Sequence, residues 1–121
     1  MVDQGVVDAF QLMWGPFPEP VLLVHESRTI LAVNDTARAG GVPVGVKCSS
    51  LNPETKGDSH CKQCRAFEAL RSGEAMSRSS VVGGRLIKGY WMPLKGVEGV
   101  YVHFGIPIGD EADATQAARN A

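Results

Sequence analysis

The most restrictive stretch is the apolar alternation near the C-terminal end. Val100, Val102, Phe104, Ile106 and Ile108 alternate strictly with Tyr101, His103, Gly105 and Pro107. Strand side chains point to opposite faces with a period of two, so residues 100–108 read as a half-buried strand. Pro107 cannot donate to a ladder and belongs at a strand end or edge. Two further strands are predicted before it, over 77–82 and 85–94, with Gly83-Gly84 and residues 95–99 as the turns. Upstream, VLLVHE (21–26) and TILAVN (29–34) flank Ser27-Arg28. They read as an antiparallel hairpin, although its turn lacks the favoured Asn-Gly pair.

Helical signals fill the rest. Val6, Val7, Phe10, Met13 and Trp14 fall on one apolar face of a predicted helix over 3–14, which Gly15-Pro16 ends. Such a helix either packs on its own domain or pairs two subunits, and these five residues are the candidate dimer contacts. Asn34 offers a side-chain oxygen to cap a short helix closed by Gly40-Gly41. Residues 42–60 read as a loop with a helical turn or two. Residues 61–72 read as a helix with an apolar stripe of Cys64, Phe67, Ala69 and Leu70, stopped by Gly73. The order predicts an α+β fold: a five-stranded antiparallel sheet with helices on one face, preceded by an N-terminal amphipathic helix. The expected division is 1–16 for that helix, 17–110 for the domain and 111–121 for an acidic, Ala-rich tail or linker.

All three cysteines, Cys48, Cys61 and Cys64, fall within one loop-to-helix segment, together with His60. Three readings of them stay open. As metal ligands, Cys61 and Cys64 have the spacing for one zinc ion or iron–sulfur cluster, with Cys48 as third ligand; His60, adjacent to Cys61, is awkwardly placed to share the ion. As a redox pair, Cys61 at a helix N-terminus would have a stabilised thiolate. As structural residues, buried cysteines behave as small hydrophobes.

The remaining totals bound the function. At 121 residues and a formal charge of -1, there is no electrostatic case for nucleic acid or an anionic membrane. The apolar runs are too short to span a bilayer. An odd cysteine count and no secretory leader point to a reducing cytoplasm. His25 and His103 fall on neighbouring strands; both read as satisfied or exposed, with His103 facing away from the alternating apolar set. Phe67, Met76, Tyr90, Met92, Val102 and Phe104 are the candidate lining of a small apolar pocket between sheet and helices. No catalytic set stands out.

Several words in order resemble a PAS sensor domain. PEPVLLV followed by ILAVND resembles the family's opening hairpin, which ends in an Asn at the position of Asn34. GVKC at 45–48 is similar to its glycine-led turn. LRSGEAM at 70–76 is similar to the end of its long helix, and residues 89–108 resemble its last two strands. The exit departs from the family's Asp-Ile-Thr run and reads Ile108-Gly109-Asp110-Glu111. The cysteines resemble a subset with a Cys after the glycine turn and a Cys-x-x-Cys pair at the long helix.

The resemblance implies a non-catalytic sensory domain that binds a small ligand or senses redox state or metal. It further implies a relay to a kinase or regulator outside this chain, with a homodimer as one arrangement. Haem is disfavoured, because residues 65–76 lack the histidine that haem-binding relatives place there. Flavin is disfavoured because Ser49 and Asn52 stand where light-sensing relatives carry Arg and Gln, and residues 85–108 contain no Asn or Gln. Two rivals remain: a small thiol oxidoreductase using Cys61 and Cys64, and a protein–protein module with inert cysteines.

Overall fold

The computed structural model describes residues 2–52 and 63–109. The elements in chain order are α1 (Gln4–Trp14), β1 (Val21–His25), β2 (Ile30–Val33), α2 (Asp35–Ala39), a 3₁₀ turn (Cys48–Leu51), α3 (Ala66–Ser72), β3 (Met76–Val82), β4 (Arg85–Pro93) and β5 (Val100–Gly109). The strands form one antiparallel sheet in the order β2-β1-β5-β4-β3. β5, last in sequence, lies between β1 and β4, with Leu22 opposite His103 and Gly89 opposite Gly105. Pro107 sits beyond the reach of β1, which ends its pairing at Phe104, so its missing N–H falls on an open side as its chemistry requires.

Both faces of the sheet are covered. On one, Leu22, Val24, Trp91 and Tyr101 pack with Ala37 of α2 and with Ala66 and Ala69 of α3. On the other, Val21, Leu23, Val100 and Val102 pack with Phe10 of α1, while Val6, Val7 and Trp14 join the edge of that cluster. α1 therefore spends four of its five candidate residues on its own sheet. Met13 points outward at 74% exposure, beside Leu12 at 82%.

Asn34 ties four segments together. Its Oδ1 accepts from the N–H groups of Val21 (2.9 Å) and Ala37 (3.0 Å). Its Nδ2 donates to the carbonyls of Trp14, Phe17 and Glu19 at 3.0–3.3 Å. The cap expected for α2 is thus present, and the same side chain also anchors the end of α1 and the start of β1.

The helix expected over 61–72 is described from Ala66. Cys64 and Arg65 precede it, so Cys64 is not on a helical stripe. Its buried face is Ala66 and Ala69, two small residues that bring the helix close to the sheet, whereas Phe67 is 63% exposed with the Arg71 guanidinium over its ring. Gly73 ends the helix at φ 74°, the left-handed value glycine adopts without a side-chain penalty. Arg65 latches the helix start by donating to the Ser77 carbonyl of β3 at 2.9 Å. Its hydrogen bonds to Glu68 hold that carboxyl below the usual carboxylate range.

Candidate functional site

A cavity of about 250 Å³ lies on the α2/α3 face of the sheet. Its floor is the inward set of the last two strands: Ile87, Gly89 and Trp91 of β4, with Tyr101, His103 and Gly105 of β5. Leu22 of β1 and Ser80 and Val82 of β3 extend it, and Arg28 enters from the β1–β2 turn. The 3₁₀ turn supplies Cys48, Ser49 and Leu51; Asn52, Gln63 and Cys64 complete the wall.

The floor depends on two glycines that face each other across β4 and β5. A Cβ on Gly89 would come within 3.2 Å of the Trp91 ring, and one on Gly105 within 2.7 Å of Ile87 Cγ2. Their absence of side chains lets Trp91 and Ile87 lie over the strands. Trp91 is 3% exposed and stacks on His103, with ring centroids 4.9 Å apart.

His103 Nδ1 lies 2.8 Å from the Tyr90 carbonyl. A carbonyl can only accept, so Nδ1 carries the proton and Nε2 of the neutral ring is an acceptor. Burial pushes the imidazole below its ordinary value, opposed in part by that backbone hydrogen bond. His25 instead engages Ser27 at the hairpin turn, accepting from its N–H. Both strand histidines have partners, as expected.

None of the six expected lining residues borders this cavity. Met92, Val102 and Phe104 belong to the α1 face, and Tyr90 stacks on Phe104 there. Met76 packs at the margin of the α2/α3 cluster, and Phe67 points away. The correction is one of parity. The alternating set Val100–Ile108 marks one face of β5, and here the cavity lies on the other, with Tyr101 and His103. The half-buried reading assumed one dry face; because α1 covers the second, periodicity alone could not choose between them.

Of the four redox or metal candidates, the structure brings Cys48 and Cys64 to one cavity wall, both half-buried. Cys61 and His60 lie outside the described residues. Among the described residues no group of three or more His, Cys, Asp or Glu side chains gathers as a metal site would. Arg28, Ser49, Asn52, Gln63, Ser80 and His103 are polar lining residues that the sequence reading missed as site members. Tight hairpin turns commonly place a residue at positive φ, and in this turn, which lacks Asn-Gly, Arg28 is that residue.

Among the described residues no helix is long and apolar enough to cross a membrane. No protein-family model matches the chain, and no curated protein matches it. Solved structures do. A domain of an HTR-like protein from Haloarcula marismortui is 20% identical at a TM-score of 0.59, covering 75% of this chain and 98% of that one. The PAS domain of BvgS from Bordetella pertussis is 15% identical at 0.61, covering 96% of each. A sensory box sensor histidine kinase from Vibrio cholerae is 12% identical at 0.60, covering 88% of this chain and 96% of that one. Sheet, helices and these likenesses together establish that the chain has a PAS-like α+β fold.

Proposed function

We propose that this chain is a non-catalytic sensory domain in signal transduction, with the cavity as its input site. The cavity carries the reading. A half-open, largely apolar cavity among Leu22, Ile87, Trp91 and Tyr101 that also gathers an imidazole, a guanidinium and two thiols has the make-up of a ligand site. Its volume is under the roughly 300–1,000 Å³ of drug-sized pockets, which suits a small organic molecule better than haem or flavin. The occupant contacts β4 and β5 directly, and the sheet hands the change to an effector, a kinase or regulator outside these residues. The HTR-like domain and the sensor histidine kinase among the fold neighbours support such a partner. Exposed Leu12 and Met13 support a second subunit as the other listener.

The shared wall of Cys48 and Cys64 favours a second reading of the same site. Oxidation of a thiol pair to a disulfide, or zinc or iron–sulfur binding with Cys61, would then be the input, in a reducing cytoplasm that keeps the resting thiols reduced. Native mass spectrometry of the anaerobically purified chain tests both, with metal analysis and a thiol count on the same sample. A stoichiometric small molecule lost in Ser80→Phe, which fills the cavity from β3, supports the ligand reading. Metal lost in Cys64→Ser supports the second. A chain of bare mass, whose tryptophan emission ignores both a metabolite library and peroxide, overturns the proposal.

A further inference from the structure

We propose that the cavity takes a small neutral molecule that donates an O–H or N–H to His103 Nε2 and lays an apolar body against Leu22, Ile87 and Trp91. This rests on the reading of the cavity as a ligand site and names the class of ligand.

The His103 ring spends its one proton on the protein itself. Nδ1 donates to the Tyr90 carbonyl at 2.8 Å, so Nε2 carries a lone pair and can only accept. The two ring nitrogens point to different sides of the imidazole, which turns Nε2 away from that β4 carbonyl. Nε2 accepts no hydrogen bond from the described residues, yet it is not sealed in. Of the side-chain N and O atoms cut off from solvent among the described residues, only Arg28 Nε lacks a partner. Nε2 is therefore open, on a residue that is half-buried and lines the cavity. Burial holds the imidazole below its ordinary value, so the lone pair stays available at neutral pH.

The neighbours of Nε2 select the kind of donor. On the cavity face, His103 has Leu22 opposite it on β1 and Trp91 opposite it on β4, with Tyr101 and Gly105 beside it along β5. Leu22 and Gly105 offer no side-chain donor. Trp91 meets the imidazole face to face, with ring planes 16° apart, so its in-plane N–H is not aimed at Nε2. A water on Nε2 would find few further partners in these surroundings, where an ordered buried water makes about three hydrogen bonds. A donor group on an apolar body satisfies Nε2 with one bond and covers the carbon surface with the rest. An ammonium ion would also donate, but the Arg28 guanidinium shares the wall and disfavours a second cation.

The test titrates phenol and its isostere toluene, which lacks the donor, into the whole chain and into His103→Phe, following tryptophan emission and calorimetric heat. The phenylalanine ring can still lie against Trp91 but has no acceptor. The phenol-to-toluene affinity ratio is expected to fall by about fivefold or more in His103→Phe, the fold-change of one net hydrogen bond. Because this variant also removes the donor to the Tyr90 carbonyl, a second measurement uses wild type alone. The nitrogen resonance of His103 Nε2 should lie where an unprotonated imidazole nitrogen does and should move upfield with saturating phenol but not with toluene. An unchanged ratio in a folded His103→Phe, or a resonance that ignores bound phenol, overturns the donor proposal and leaves the ligand cavity standing. No saturable binding of either probe up to about 5 mM overturns both.

Discussion

At the scale of single residues, Asn34 and His103 carry opposite kinds of polar burial. Asn34 is fully buried and uses its amide on five backbone groups. Asn34→Ala would orphan several of these at once. The expected loss is about 3 kcal/mol, read from urea unfolding, because each buried unsatisfied group costs about 1–3 kcal/mol. Asn34→Asp should be no better, since a carboxylate cannot donate to the carbonyls of Trp14, Phe17 and Glu19. His103 makes its pH statement with a definite sign. Its folded value lies below the ordinary 6.5, so the unfolded chain takes up the proton first as pH falls. Its effect on stability is flat above pH 6.5 and turns destabilising below it. Urea midpoints for wild type and His103→Gln should therefore diverge on acidification, with the wild type falling faster; Gln still donates to the Tyr90 carbonyl but does not titrate. Parallel pH profiles would show instead that folding leaves the proton affinity of His103 unshifted.

At the scale of elements, α1 and α3 show how a helix divides its faces. α1 inserts Phe10, 4% exposed, into the cluster on the outer face of the sheet. Phe10→Ala should cost about 3–5 kcal/mol, the range for truncating a buried aromatic. That loss would mark α1 as part of the core. Leu12 and Met13 touch none of this, so Leu12→Glu with Met13→Glu should leave the melting temperature unchanged. If the exposed pair joins two subunits, the same double change should halve the sedimenting mass; an unchanged mass would remove α1 from any dimer contact. α3 was harder to read. Its sequence stripe held Cys64 and Phe67, but the sheet accepts only the flat side formed by Ala66 and Ala69. Composition favours large apolar residues as the buried face, and close helix–sheet approach favours small ones.

At the scale of the molecule, one sheet separates two clusters, and each holds one of the two tryptophans. Trp14 packs on Phe17 and Phe104 over the outer face, and Trp91 borders the cavity. A ligand in the cavity should shift the emission of Trp14→Phe, in which Trp91 alone remains, and should leave Trp91→Phe nearly silent. Signal from Trp91→Phe instead would place the ligand on the outer face. Strand count, hairpin, order of elements and the Asn34 cap were all legible in the sequence. They rest on side-chain period, turn chemistry and local hydrogen bonding, which a chain carries with it whatever it packs against. The cavity was not legible. It needed the parity of β5 relative to two covered faces, the approach of two glycines across β4 and β5, and the arrival of Arg28 from a turn far from them in sequence. These are relations between segments brought together only by the sheet, so the sequence by itself determined which elements form, and the tertiary structure decided which of their faces meet and what chemistry they enclose.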